Sequence, residues 1–124
     1  MDFKLTPDQV EQALRVCFHP ELRVNIVDLG LVDSIEVEQD SDAPGLEPRY
    51  GVSVSLLART ADDEGIASLT GQVHNRLLGM EQIYRARIQV VSDRFWTAAR
   101  MSEAARKMVG LRLQSQQPLV NIKL

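Results

Sequence analysis

The sequence predicts an α+β domain in which helices pack mainly on one face of a small mixed sheet, in the order α-β-β-α-β-α. Three observations carry that expectation. Apolar residues recur at helical spacing in three segments and alternate with polar ones in three others. A loop rich in Asp, Pro and Gly separates the first two alternating segments, so they read as a long hairpin. The 124 residues, 44% hydrophobic and 25% charged, suit a single globular domain spanning 1–124, with enough apolar material for a core without disulfides or metal.

The elements follow in order. Thr6-Pro7-Asp8-Gln9 starts the first helix, with Thr6 as cap, Pro7 at the first helical position and Gln9 completing a capping box. Val10, Ala13, Leu14 and Cys17 then lie on one helical face, and the helix should stop before Pro20. Residues 31–38 form a strand with Ile35 and Val37 on one side and Ser34, Glu36 and Glu38 on the other. Residues 50–57 form the second, with Tyr50, Val52, Val54 and Leu56 alternating with Gly51, Ser53 and Ser55. TADDEG opens the second helix, whose stripe is Ile66, Leu69, Val73 and Leu77 and whose stop is Gly79. Residues 84–91 return to alternation, with Tyr84, Ala86, Ile88 and Val90 inward and Arg85, Arg87 and Gln89 outward. After the link SDRFWTAAR, Ser102 caps a third helix with Ala105, Met108 and Val109 as its apolar side and Gly110 as its stop. Residues 119–122 read as a short edge strand.

Composition excludes several function classes. The pI near 5.3 is wrong for a dedicated nucleic-acid binder. No apolar run approaches the about 18 residues of a membrane span. The N-terminal MDFKLTPDQ lacks a signal-peptide core. With Cys17 as the single cysteine, no internal disulfide forms, and a cytoplasmic location is expected. Charge is uneven: residues 1–93 carry 16 acidic and 8 basic side chains, whereas 94–124 carry 1 and 6. The basic end is either a solvated helix and tail or a docking surface for an acidic partner. A homodimer through the open edge of a small sheet or through this basic end is compatible with the pattern.

Enzyme readings fail on spacing. The seven glycines are scattered singly, so no phosphate loop exists, and there is no G-x-S-x-G. Asp62 and Asp63 are adjacent and point apart, which makes a poor acid/base pair. Two histidines and one cysteine without CxxC or HxxxH spacing give no zinc signature, so Cys17 and His19 are weak metal candidates. Cys17 reads as a small buried hydrophobe, and His74 as a flank residue of the second helix. The acidic run Asp62-Asp63-Glu64 reads first as helix cap and dipole complement, and second as a weak divalent-ion site. Trp96, the only tryptophan, lies in Arg94-Phe95-Trp96; it reads as a core or hinge aromatic or, with Phe95 and Arg100, as a partner interface.

The most informative stretch is NIVDLGLV, 25–32, which sets a carboxylate and a glycine among aliphatic residues. As local structure, Gly30 supplies a positive φ and Asp28 turns back onto nearby N–H groups, making a bend between an extended lead-in and a strand. The run HPELRVNIVDLGLVDSIEV also resembles the opening signature of the iron–sulfur cluster assembly domain family, which includes SufT-like and PaaD-like proteins. FWTAARMSEAARKMVG resembles that family's Trp-Thr…Met-Ser-Glu-x-Ala-Arg ending, so the likeness covers about residues 7–110 and leaves 111–124 as a tail. It implies an accessory, non-enzymatic role in maturing iron–sulfur or other metalloproteins through protein contacts. It also implies a site loop of Glu21, Asp28 and Gly30, with Thr60 to Asp63, Asp62 included, opposite.

Two departures from the family pattern matter. Its Asp-Pro-Glu is His19-Pro20-Glu21 here, and its Cys-Pro pair at the second helix start is absent from ARTADDEG. A thiol at a helix N-terminus is stabilised as thiolate and binds iron, whereas Asp and Glu are hard oxygen donors. Transient iron or cluster handling would therefore need Cys17, a partner's thiol or glutathione. The alternative is a chain that kept the fold and dropped the chemistry: an interaction or regulatory subunit of a multi-subunit, PaaD-like aromatic-degradation system.

Overall fold

The computed structural model describes residues 4–60 and 63–116, with side chains as far as Gly110. The observed class is the expected one: α+β, with a three-stranded mixed sheet in the order β1-β2-β3. The helices are α1 (Pro7–Ala13), α2 (Ile26–Leu29), α3 (Gly65–Leu78) and α4 (Glu103–Gln116), and the strands β1 (Val32–Gln39), β2 (Tyr50–Leu56) and β3 (Ile83–Val90). β1 and β2 are the expected antiparallel hairpin. β2 and β3 run parallel, so α3 makes the crossover between them.

The α1 start forms as expected, with Thr6 accepting from the Gln9 N–H and the Gln9 side chain returning to Thr6 N–H. The α-helix ends at Ala13, and a 3-10 turn carries the chain to Val16. Cys17 is already extended, so it belongs to a short bridge between Phe18 and Asn25 rather than to the helical stripe.

One face of the sheet is the core. Tyr50, Val52, Val54 and Leu56 of β2 pack against Leu69, Val73 and Leu77 of α3, Val10 of α1 and Leu14 at its end, all nearly inaccessible to solvent. Ile35 and Val37 of β1 and Ala86 and Ile88 of β3 flank them, half-buried, on the same face. The inward set expected of β3 is thus right at Ala86 and Ile88, but Val90 is exposed at the strand end.

Three local expectations are corrected. The lead-in to β1 is a one-turn α-helix, not an extended strand, because Asn25 caps its start and Gly30, in the left-handed region at φ 78°, closes its end. Gly110 does not stop α4; the helix runs on to Gln116 through Leu-Arg-Leu-Gln, which are good helix formers. Met108 is exposed, and Ala105 and Val109 form the packed side of α4. Ser102 does cap α4, accepting from the Ala105 N–H at 3.1 Å. The strand expected at 119–122 lies outside the described residues. No helix among the described residues is long and apolar enough to cross a membrane.

Candidate functional site

The signature stretch folds into α2 and a left-handed turn. Asn25 Oδ1 accepts from the Asp28 N–H at 2.9 Å, and Gly30 takes φ 78° at the helix end. The residue that turns back onto backbone is therefore Asn25, and not Asp28 as the sequence led us to expect. The Asp28 carboxylate accepts from Asn25 Nδ2 at 2.7 Å and Arg15 Nη1 at 3.0 Å. It is held below the usual carboxylate range first by the Asn25 amide, with burial opposing and Arg15 and the Ser102 side chain adding to the depression.

The second signature segment closes over this turn. Trp96 Nε1–H donates to Leu29 O at 2.6 Å, Arg100 Nε–H to Gly30 O at 2.6 Å, and Ser102 N–H to Asp28 O at 2.7 Å. A second Arg100 contact reaches Val32 O, and the Trp96 N–H donates to Ala58 O just beyond β2. Three consecutive carbonyls at the end of α2, left without helical partners, are thus satisfied by one distant segment. Trp96 and Arg100 thus both donate to backbone carbonyls of the fold, with Trp96 half-buried and Arg100 exposed. Of the expected interface trio, Phe95 presents a half-exposed ring.

A second cluster lies at the start of α3. Asp63 Oδ1 accepts from the Gly65 N–H and Oδ2 from the Arg59 N–H, so of the acidic run Asp63 performs the capping. Glu64 occupies the cap position without a side-chain bond, and Asp62 is outside the described residues. Glu21 reaches the cluster through Arg59, at 3.5 Å, and Thr60 is exposed beside it. Glu21 and Asp63 are thus linked through Arg59, by its guanidinium to one and its backbone N–H to the other. Asp28 and Gly30 belong instead to the Trp96–Ser102 lock, and no hydrogen bond or ion pair among the described residues joins them to Thr60 or Asp63.

The sequence missed what His19 does. Its ring is completely buried, and Nδ1 accepts from the N–H groups of Glu21 and Leu22 at 3.1 and 3.2 Å. Nδ1 as double acceptor puts the proton on Nε2. That Nε2–H has no hydrogen-bond partner among the described residues and abuts the first turn of α3. A Cβ on residue 65 would stand 3.1 Å from Nε2 and 3.3 Å from Asp63 Oδ1, tighter than ordinary contact, so Gly65 lets the ring lie close against the turn. Burial first, then Arg59, holds the His19 pKa below the usual imidazole value, against Asp63 and Glu21.

These donors do not fit iron or a cluster. His19 has no free ring lone pair, Asp63 spends both oxygens on backbone N–H groups, and the remaining donors are hard carboxylate oxygens. Cys17 is 2% exposed, and burial pushes its thiol up, with Arg76 opposing. Its charged neighbour is Arg76. No group of three His, Cys, Asp or Glu side chains among the described residues has metal-binding geometry.

Two expected results follow. A neutral, depressed His19 means the unfolded chain binds the extra proton below its ordinary pKa of 6.5. Stability should therefore fall as pH drops below that value toward the lower folded pKa, and urea midpoints in His19→Gln should lose that part of the slope. The Cys17 thiol should react slowly with a disulfide reagent in the native chain and fully in urea; rapid native labelling would contradict its burial.

No family model matches the chain, and no curated protein does. Solved structures share its fold. A domain of unknown function, DUF59, from Bacillus anthracis aligns with a TM-score of 0.66 and 22% identity over 86% of this chain and 92% of that one. A conserved hypothetical protein from Thermotoga maritima aligns with a TM-score of 0.68 and 24% identity over 89% of this chain and 99% of that one.

Proposed function

We propose that this chain is a non-enzymatic accessory factor in iron–sulfur cluster assembly or metalloprotein maturation, acting through protein contacts, as the sequence resemblance implies. The observation that supports it is the lock between 28–30 and 96–102. The two segments that carry the resemblance, far apart in sequence, meet through three short hydrogen bonds. The pairing gives their joint presence a physical reason, and the likeness to the DUF59 domain gives the fold a matching neighbour. In a strain lacking the chain, cluster occupancy of iron–sulfur enzymes should fall and return when the chain is restored. Unchanged occupancy would sink the reading.

A second reading has its own support. The only cysteine is buried and held as a thiol, so the chain presents no thiolate of its own. That favours an interaction or regulatory subunit of a multi-subunit, PaaD-like system, without cargo. Such a subunit should be isolated colourless with a fixed partner, and its loss should leave general cluster occupancy untouched.

A further inference from the structure

The face of the sheet opposite the core carries an ordered charge pattern that the proposed function does not use. Strand register aligns its side chains in rows. Glu36 of β1 lies beside Ser53 of β2 and Arg87 of β3, and Glu38 lies beside Gly51 and Arg85. A third row is Ser34, Ser55 and Gln89, in which Gln89 Nε2 donates to Ser55 Oγ at 3.0 Å. The result is an acidic column on one edge strand, a trough of small residues on the middle strand and a basic column on the other edge. Both Glu side chains and both Arg side chains are exposed. Arg85 is engaged by Asp40 at 2.6 Å and by Asp42, while Glu36, Glu38 and Arg87 make no ion pair among the described residues.

We propose that this face docks a second copy of the chain, as a two-fold dimer whose axis runs parallel to β2 between the stacked sheets. That operation lays β1 of one protomer over β3 of its partner and keeps each row at its own level. Glu36 then meets the partner's Arg87 twice over, and Glu38 meets the guanidinium already shared by Asp40 and Asp42. The small column faces itself, so nothing in the middle keeps the sheets apart. Aligned sheets stack about 10 Å apart, a gap that a Glu and an Arg extended toward each other can span. A two-fold axis across the strands would instead set Glu columns against each other and Arg columns against each other. The pattern therefore selects one geometry and penalises the other.

The contact is three strands wide and built on exposed charge, so it is weak and salt-sensitive. It is distinct from the sheet edges and from the basic C-terminal end. Sedimentation velocity on the full chain tests it. At high micromolar concentration the natural chain should move from monomer to dimer as salt is lowered. Glu36→Arg/Glu38→Arg and Arg87→Glu should each dimerise at least tenfold more weakly. An equimolar mixture of the two variants should form a heterodimer, because one face is then wholly basic and the other more acidic; this also shows that both fold. A natural chain that stays monomeric in low salt, variants that dimerise like it, or a mixture that fails to associate would each overturn the proposal and leave a solvated face.

Discussion

Gly30→Ala is expected to lower the stability of the chain by about 3–5 kcal/mol, the range of a severe single substitution. Two causes add. An L-residue held near φ 78° carries about 1–2 kcal/mol of backbone cost. The added methyl would also overlap the Arg100 carbonyl and Cβ, so the backbone that closes over the turn would have to shift. Arg100 is pinned there by its own bond to Gly30 O, so relief requires opening the lock. Gly45→Ala separates the two causes. Gly45 has φ 100° but nothing within 4 Å of the added methyl, so only the backbone cost of about 1–2 kcal/mol applies. Urea denaturation followed by fluorescence of Trp96, the only tryptophan, reads both variants at the lock itself. Equal losses for the two glycines would show that the contact with Arg100 is not what makes Gly30 necessary.

His19→Ala is expected to cost about 2–4 kcal/mol, combining a cavity at a fully buried ring with two N–H groups deprived of their acceptor. His19→Asn should recover part of this, since its side-chain oxygen can accept from the Glu21 and Leu22 N–H groups in the same turn. If Asn is no better than Ala, the ring serves by filling space alone. The variant also bears on the α3 start, because the ring abuts Gly65 and lies among Asp63, Glu21 and Arg59. Loss of His19 should loosen that turn without opening the Trp96 lock, so fluorescence of folded His19→Ala should stay near that of the natural chain.

The fold was legible because its elements obey local rules. Thr6 to Gln9 spells a capping box, β2 alternates without exception, and the α3 stripe keeps helical spacing. Gly30 was legible for the same reason, as a left-handed position within an aliphatic run. What escaped the sequence was long-range. Nothing local in Arg15, Ser102 or Arg100 says that they meet 28–30 from 13, 74 and 70 residues away. The role of Asp28 was misplaced because Asn25 holds the cap position of α2, and its side-chain oxygen accepts the Asp28 N–H. His19 read as a weak metal candidate because residue type alone shows neither that its ring is buried nor which nitrogen accepts. α4 outran Gly110 because the cost of about 1 kcal/mol for a glycine in a helix is offset by the good formers that follow.

On the proposed function, the chain works through contacts rather than through a thiolate of its own. Anaerobic incubation with iron and sulfide, then desalting, visible absorption and iron counting, tests this most directly, on the natural chain and on Cys17→Ser. A colourless protein with no stoichiometric iron is expected in either case. A stoichiometric cluster on the natural chain that disappears in Cys17→Ser would contradict it, since the buried thiol would then be a ligand.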